Sequence, residues 1–368
     1  MSRIVMKFGG TSVGSIERIK HVAEIIKSEV DSKNQIVVVL SAMAGETDNL
    51  VNLTKEISKE FNPPDYDVVI SSGEQVSVGA LSGLLNSSGI KSQSLLGWQV
   101  PIVTSNDHKS SRIEAVSSKG IVSLLEEDSV VIIPGFQGIS PEGKITTLGR
   151  GGSDTSAVAV AAAIDADFCD IYTDVDGVYT TDPNKVPNAK RLDKISYEEM
   201  LEMASLGAKV LQTRSVETAM NNDVVLRVLS SFSQIGDEKK GTLVCSEDSI
   251  SDKKIVTGVA ASTNDAKLTL TGIKDKPGVA AEILGALASK CINVEEEMEL
   301  SPLNLGIMPI YLTLLNSPVK EILLLGGIVI KKFKTKIIFF LAIILGSCSV
   351  NDIDKAAIMN TTSTAVGG

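Results

Sequence analysis

Histidine is nearly absent: the chain of 368 residues has two, His21 and His108. Neither has a partner at metal-ligand spacing, which sets aside a histidine-based zinc site. The four cysteines, Cys169, Cys245, Cys291 and Cys348, are scattered and form no CxxC. Neither a disulfide framework nor a cysteine metal knuckle is expected, and a reducing compartment is the default. Basic residues are outnumbered, 35 Lys+Arg against 45 Asp+Glu, for a formal net charge of −10. That argues against a protein held on nucleic acid by a general basic surface, which needs clustered Lys and Arg. A few basic groups can still focus positive potential on a small anion site. The N-terminus, MSRIVMKFGG, enters a strand at once and shows no signal peptide, so a cytosolic chain is expected. The phosphate-binding pattern GxxxxGK[ST] is also missing.

What remains is an ordinary globular composition, 43% hydrophobic and 22% charged, long enough for two or three domains at ~150 residues each. Short β-branched runs alternate with amphipathic stretches. Ile4 to Phe8 reads as a strand, and from Ser15 apolar residues recur every three to four positions (Ile16, Ile19, Val22, Ile26), as in a helix. Ile36–Leu40, Val68–Ile70, Val130–Ile133, Ile171–Tyr172 and Val224–Leu229 read as further strands. Helices are expected over Ser156–Ile164 and from Ser196, where Ser196 and Glu199 have capping-box spacing. The alternation implies an α/β fold with a mainly parallel sheet flanked by helices. A polar stretch over 232–254 suggests a boundary. A smaller α+β unit follows, with a strand over Lys267–Gly272, a loop over Lys274–Gly278 and a helix over Val279–Ser289.

Four constellations carry chemistry. Lys7-Phe-Gly-Gly-Thr-Ser12 ends a strand and precedes a helix, so Gly9 and Gly10 let backbone N–H groups approach an anion while Lys7 adds a point charge; a tight turn with a surface lysine fits the spacing equally well. Thr147-Leu-Gly-Arg-Gly-Gly-Ser-Asp-Thr-Ser156 is a second glycine nest at a helix start, with Arg150 suited to a carboxylate or phosphate; the alternative is that Ser153 or Asp154 caps the helix. Two nests in one α/β domain, each with a basic residue, favour an anion-handling site. Thr173-Asp-Val-Asp-Gly-Val-Tyr179 follows a strand, where ligand loops sit, although Asp-Gly also makes plain turns. Ser71-Ser-Gly-Glu-Gln75 opens a helix; Glu74 suits a substrate ammonium or, alternatively, complements the helix dipole.

In order along the chain, KFGGTS, SAMAGETDNL, SSGEQVS, GWQ, PGFQG, TTLGRGGSDTSAVAVA, YTDVDGVYTTDP and ASLGAKVLQTRSVE closely resemble the aspartokinase family of the amino-acid kinase superfamily, over about residues 2–294. The resemblance implies an amino-acid kinase catalytic domain over 1–245 and a partial ACT-like regulatory unit over 255–294. It implies transfer of the γ-phosphoryl of ATP, with Mg²⁺, to the side-chain carboxylate of L-aspartate, in lysine, threonine, methionine and diaminopimelate biosynthesis. Carried over by position, Lys7 stabilises the transferring phosphoryl, Gly9 and Gly10 bind phosphate, and Asp154 holds the catalytic geometry. Ser41, Thr47, Glu74, Arg150 and Ser153 bind aspartate. Thr173, Asp174, Tyr179, Lys209 and Val210 contact the nucleotide. Asp275, Pro277, Gly278 and Asn293 begin a site for a lysine or threonine effector, unless they form a plain turn, and a homodimer through the ACT region is implied. No dedicated protein metal site, nucleic acid or membrane is expected.

The resemblance stops near residue 295. No second glycine-rich ACT loop is visible, and Lys331–Lys336 precedes nine apolar residues, Ile337 to Leu345, too few to span a bilayer. Residues 295–368 read as a frameshift or fusion junction, a divergent regulatory domain or, least readily, an anchor. Two functional readings follow: an active aspartokinase, and a catalytically impaired or regulatory aspartokinase-like protein with a disrupted ACT region. The intact Lys7, Glu74, Arg150 and Asp154 set favours the first.

Overall fold

The computed structural model describes residues 1–208, 210–234, 240–251, 257–260, 266–274, 285, 294–297, 307–314, 327–330 and 339–342. In chain order the first elements are β1 (Arg3–Phe8), α1 (Ile16–Asp31), β2 (Gln35–Leu40), α2 (Glu46–Ile57), α3 (Pro63–Ile70), α4 (Ser72–Ser87), β3 (Ser92–Ser94), β4 (Ile102–Thr104), β5 (Ile113–Val116) and α5 (Lys119–Glu126). Then come β6 (Val130–Pro134), β7 (Gln137–Ile139), β8 (Ile145–Thr147), α6 (Gly152–Ala163), β9 (Phe168–Thr173), β10 (Lys194–Ser196), α7 (Tyr197–Ser205), α8 (Thr213–Asn221), β11 (Leu226–Ser230) and β12 (Gly241–Cys245). They form one compact unit, Met1–Ala261.

Its main sheet has the order β10-β12-β11-β9-β1-β2-β6-β3. Every neighbouring pair is parallel except β11 with β12. Period-two alternation divides the core between the two faces of this sheet. Val5, Val37, Val39, Val131 and Ile133 join one apolar cluster with residues of α5, α6, α7 and α8. Ile4, Met6, Phe8, Ile36, Val38, Leu40 and Ile132 join the other, with α1 and α4. Both faces are covered, which is why these strands read as unbroken apolar runs. A second, four-stranded sheet, β5-β4-β7-β8, takes two strands from before β6 and two from after it, and its last strand, β8, leads into α6.

Side-chain caps start two of the helices. Ser15 caps α1 by accepting from the Arg18 N–H. Ser196 and Glu199 form the reciprocal capping box of α7. Two expectations are corrected. Val68–Ile70 is the last turn of α3 rather than a strand: Pro63 and Pro64 start a helix, Val68 is half exposed, and Asp67 between the apolar residues is buried. The helix expected from Ser156 begins at Gly152, so Ser153 and Asp154 lie in its first turn and neither caps it; the capping position is Gly151, which makes no side-chain cap.

The second unit, Ser262–Gly368, contains β13 (Ala266–Lys274), β14 (Val294–Glu297), β15 (Ile307–Leu314), β16 (Gly327–Ile330) and β17 (Phe339–Ala342). The first three make an antiparallel sheet of order β13-β15-β14, and β16 pairs antiparallel with β17. The strand expected over Lys267–Gly272 lies within β13, and β17 falls inside the apolar run Ile337–Leu345. The helix expected over Val279–Ser289, apart from Gly285, and the basic run Lys331–Lys336 lie outside the described residues, as do Asp275, Pro277, Gly278 and Asn293.

Candidate active site

The parallel strands β9, β1, β2 and β6 end along one edge, where open α/β sheets place their ligands. Alternation puts Lys7, like Val5, on the face covered by α6. There its Nζ lies 2.6 Å from Asp154 Oδ1 in the first turn of α6, with both side chains about nine-tenths buried. The contact is ionic without hydrogen-bond alignment, because Asp154 Oδ1 has no hydrogen-bond partner.

After Phe8 the chain makes a short 3₁₀ turn, Gly10–Val13. Only glycine fits at residue 10, since a Cβ there would sit 2.9 Å from the Ala42 carbonyl oxygen. The turn is fastened to the far side of the site. Ser12 Oγ donates to Ser231 Oγ (2.8 Å), and Ser231 donates from its N–H and its hydroxyl to the Thr173 carbonyl (2.9 and 3.1 Å). Arg18 on α1 donates to the Ser231 carbonyl and lies over the Phe232 ring, 3.9 Å from its centroid. Gly9, Gly10 and Thr173 are thereby held to the ends of β1, β9 and β11.

Ala42, just past β2, joins this turn to Glu74. Its N–H donates to Glu74 Oε1 at 3.3 Å, while Glu74 Oε2 is buried with no hydrogen-bond partner. Glu74 sits in the first turn of α4 and is 3% exposed. Burial pushes its carboxyl up to about 7, against the lowering effect of the backbone N–H groups of Glu74 and Ala42. A carboxylate here is short of one cation. Ser41 donates its N–H to the Phe8 carbonyl (3.1 Å) and is half-buried, as is Thr47 in the first turn of α2.

The second nest bends through Gly149 and Gly151, at φ +76° and +69°. At Gly151 a Cβ would also strike the Gln212 side chain, so this turn admits no larger residue. Arg150 between them is exposed and forms no ion pair among the described residues. Ser153 is buried in the first turn of α6.

In the loop after β9, Thr173 Oγ1 donates to Asp174 Oδ1 (3.1 Å), and Asp174 is exposed. The Tyr179 hydroxyl donates to Asp176 Oδ1 (2.9 Å), and Arg191 donates to Asp176 Oδ2 (3.3 Å). Lys209 lies outside the described residues; Val210 is half-buried against the apolar cluster of α6 and α8. The strand ends and the first turns of α4 and α6 thus gather Lys7, Gly9, Gly10, Ser41, Glu74, Ser153, Asp154 and Thr173, with Thr47 and Arg150 on flanking segments.

Sequence reasoning missed Ala42, Ser231 and Arg18. The first acts through its backbone, which leaves no mark in a side-chain pattern. The other two stand far apart in the chain and meet because β1 and β11 both pair parallel with β9.

The amino acid kinase family model matches residues 2–230. An aspartate kinase of Pseudomonas putida is 51% identical over 296 residues, covering 80% of this chain and 71% of that protein. Among solved structures, E. coli aspartokinase III in complex with aspartate and ADP, in its R-state, superposes with a TM-score of 0.71 at 30% identity, covering 84% of this chain and 78% of that one. The same enzyme with lysine and aspartate, in its T-state, gives 0.67 at 30% identity and the same coverage. The chain belongs to the amino acid kinase family and, within it, to the aspartokinases.

Proposed function

We propose that this chain transfers the γ-phosphoryl group of ATP to the side-chain carboxylate of L-aspartate, giving 4-phospho-L-aspartate and ADP, at the entry to lysine, threonine, methionine and diaminopimelate biosynthesis. The observation that carries the reading is the unpartnered, buried Oε2 of Glu74, at the same strand edge as the Lys7–Asp154 pair. An amino-acid acceptor brings the ammonium that Glu74 lacks.

One side-chain carboxylate oxygen of the acceptor attacks the γ-phosphorus; the bond from phosphorus to the bridging oxygen breaks, and its electron pair leaves with ADP. The acceptor is already ionised near neutral pH, so no general base is needed and catalysis is positioning plus charge stabilisation. Lys7 would neutralise charge on the transferring group, with Asp154 fixing its ammonium. The backbone N–H groups of Gly9 and Gly10 would face the phosphates. Glu74 would take the acceptor's ammonium and Arg150 its α-carboxylate, with Ser41, Thr47 and Ser153 lining the pocket. Thr173, Asp174, Tyr179, Lys209 and Val210 are assigned to the nucleotide. Asp154 and the exposed Asp174 are the carboxylates at this edge suited to a Mg²⁺ ion carried by ATP, and no three acidic, histidine or cysteine side chains converge on a metal position among the described residues. That ion supplies neutralisation of charge between the phosphates.

Residues 1–245 are read as the catalytic domain, 255–294 as a partial ACT-like unit and 295–368 as a divergent tail. Asp275, Pro277, Gly278 and Asn293 would begin a lysine or threonine site, and a homodimer would form through the ACT region. The setting is the cytosol. The helical stretch Pro63–Ser87 is long and apolar enough to cross a membrane, yet half of its apolar window is buried within the fold, as in a core helix.

Incubation with ATP, Mg²⁺ and hydroxylamine tests the reading. L-aspartate should yield hydroxamate, while N-acetylglutamate, which has no free ammonium for Glu74, should yield none. Hydroxamate from the acetylated acceptor, and none from aspartate, would overturn it.

A further inference from the structure

We infer that Asp67 is a positioning residue for the acceptor site: it ties the Gly149–Arg150 turn to the helix that leads into Glu74. The inference rests on the assignment of Glu74 and Arg150 to the acceptor made above.

Asp67 is fully buried in α3, far from the Lys7–Asp154 pair in sequence. Its carboxylate collects donors from two other segments. Thr147 Oγ1, at the end of β8, donates to Oδ1 at 2.7 Å. The Lys109 N–H approaches both oxygens at 3.2 Å, and His108 Nδ1 lies 2.7 Å from Oδ2. These two segments also hold each other, since the Ser111 N–H donates to the Thr147 carbonyl (2.9 Å). Lys109 takes a left-handed backbone, φ +72°, and sends its ammonium over the Tyr66 ring beside Asp67, 4.8 Å from the centroid.

Each end of this cluster leads to one of the acceptor's assigned anchors. Two residues after Thr147 comes Gly149, whose backbone packs on the Lys109 carbonyl so closely that a Cβ would lie 3.3 Å from it. Arg150 follows. In the other direction α3 passes through Ser71 into the first turn of α4, which holds Glu74. The Ser71 carbonyl is itself held by the buried Gln137 amide at 2.9 Å. Arg150 has no ion pair of its own among the described residues, so its position follows that of its turn. The Asp67 cluster holds that turn together with Arg214, whose guanidinium donates to the Leu148 carbonyl (3.1 Å), and the Leu148 N–H, which donates to the Phe136 carbonyl (2.9 Å). A fully buried carboxylate is costly unless its oxygens are satisfied by converging donors. Asp67 meets that condition only while the Thr147 and Lys109 segments stay in place, and it locks them in return.

Steady-state kinetics of Thr147→Val, Thr147→Ser, Asp67→Asn and Arg150→Ala test this. Thr147→Val keeps the shape of the side chain and removes only the hydroxyl donor, so it guards against a misfolded Asp67 variant. We expect KM for aspartate to rise roughly tenfold in Thr147→Val and toward 100-fold in Asp67→Asn, since small misplacements of a binding group carry penalties of that size. KM for ATP should stay within about twofold, because the anchors concern the acceptor alone. Thr147→Ser, which keeps the hydroxyl, should return the aspartate KM to near that of the unaltered chain. Equal rises in both KM values, or a fall in thermal midpoint with neither KM changed, would reduce the cluster to a structural role and overturn the inference. Arg150→Ala separates the two levels. If it raises the aspartate KM and Thr147→Val does not, this inference fails alone; if it leaves that KM unchanged, the acceptor assignment fails and takes the inference with it.

Discussion

Lys7 Nζ lies 2.6 Å from Asp154 Oδ1, so one ionic contact joins the end of the central strand β1 to the first turn of α6. Both groups are almost buried, and neither strand nor helix needs the pair for its own geometry. Replacing Asp154 by Asn keeps the shape and frees the lysine. The expected result is a fall in kcat of roughly 10²-fold with little change in the aspartate KM, the pattern for a group that acts through transition-state charge. Steady-state assays at saturating ATP read it directly.

Glu74 should give the chain a pH signature. Its carboxyl is pushed up to about 7 from 4.5 by burial. A raised value means that the empty site prefers the neutral acid. Stability is therefore fully retained below pH 4.5 and is lost as pH rises through 7. Integrated, the penalty above pH 7 is of the order of 3 kcal/mol. Glu74→Gln should match the unaltered chain in thermal midpoint near pH 4.5 and exceed it increasingly toward pH 8. Denaturation at several pH values checks this.

The same group couples binding to protons. The acceptor's ammonium favours the ionised carboxylate, so aspartate binding near pH 6.5 should release a proton. Affinity for aspartate should then fall as pH drops below about 7. Calorimetric titrations in buffers of different ionisation heat measure the release, and proton uptake would contradict the assignment.

Two glycines should respond in opposite ways. At Gly10 an added methyl would press on the Ala42 carbonyl oxygen at 2.9 Å, and backbone cannot yield there without moving the turn. Gly10→Ala should raise the ATP KM by roughly tenfold or more. Gly79 lies exposed inside α4 with open space around its Cβ direction, so Gly79→Ala should add about 0.5–1 kcal/mol of stability and leave kinetics alone. Urea midpoints and steady-state assays on the two variants test the contrast.

The physics behind these residues was unevenly legible. The parallel core strands announced themselves as apolar runs because both faces of the sheet are covered. The capping box at Ser196 and Glu199 was readable because its spacing is local. Lys7 could be placed by alternation once β1 was recognised. Specific roles for Glu74, Arg150 and Asp154 come from the family resemblance: the two glycine nests favour an anion site, but spacing alone also admits a cap at Asp154 and a dipole contact at Glu74. Asp67 is hidden from pattern reading: Val68–Ile70 has the composition of a short strand, and only the preceding Pro63-Pro64 pair signals a helix start. Its partners Thr147 and His108 are 80 and 41 residues away, a relation created by folding. Ala42 acts through its N–H, which every residue but proline possesses.

Phosphoryl transfer to aspartate at Lys7 is tested by one comparison: hydroxamate formed from L-aspartate, ATP and Mg²⁺ by the unaltered chain and by Lys7→Ala, with and without lysine and threonine. Turnover by the first and a loss of at least roughly 10²-fold in the second are expected. A folded, soluble chain that forms no hydroxamate, or a Lys7→Ala variant that works as well as the original, would contradict it.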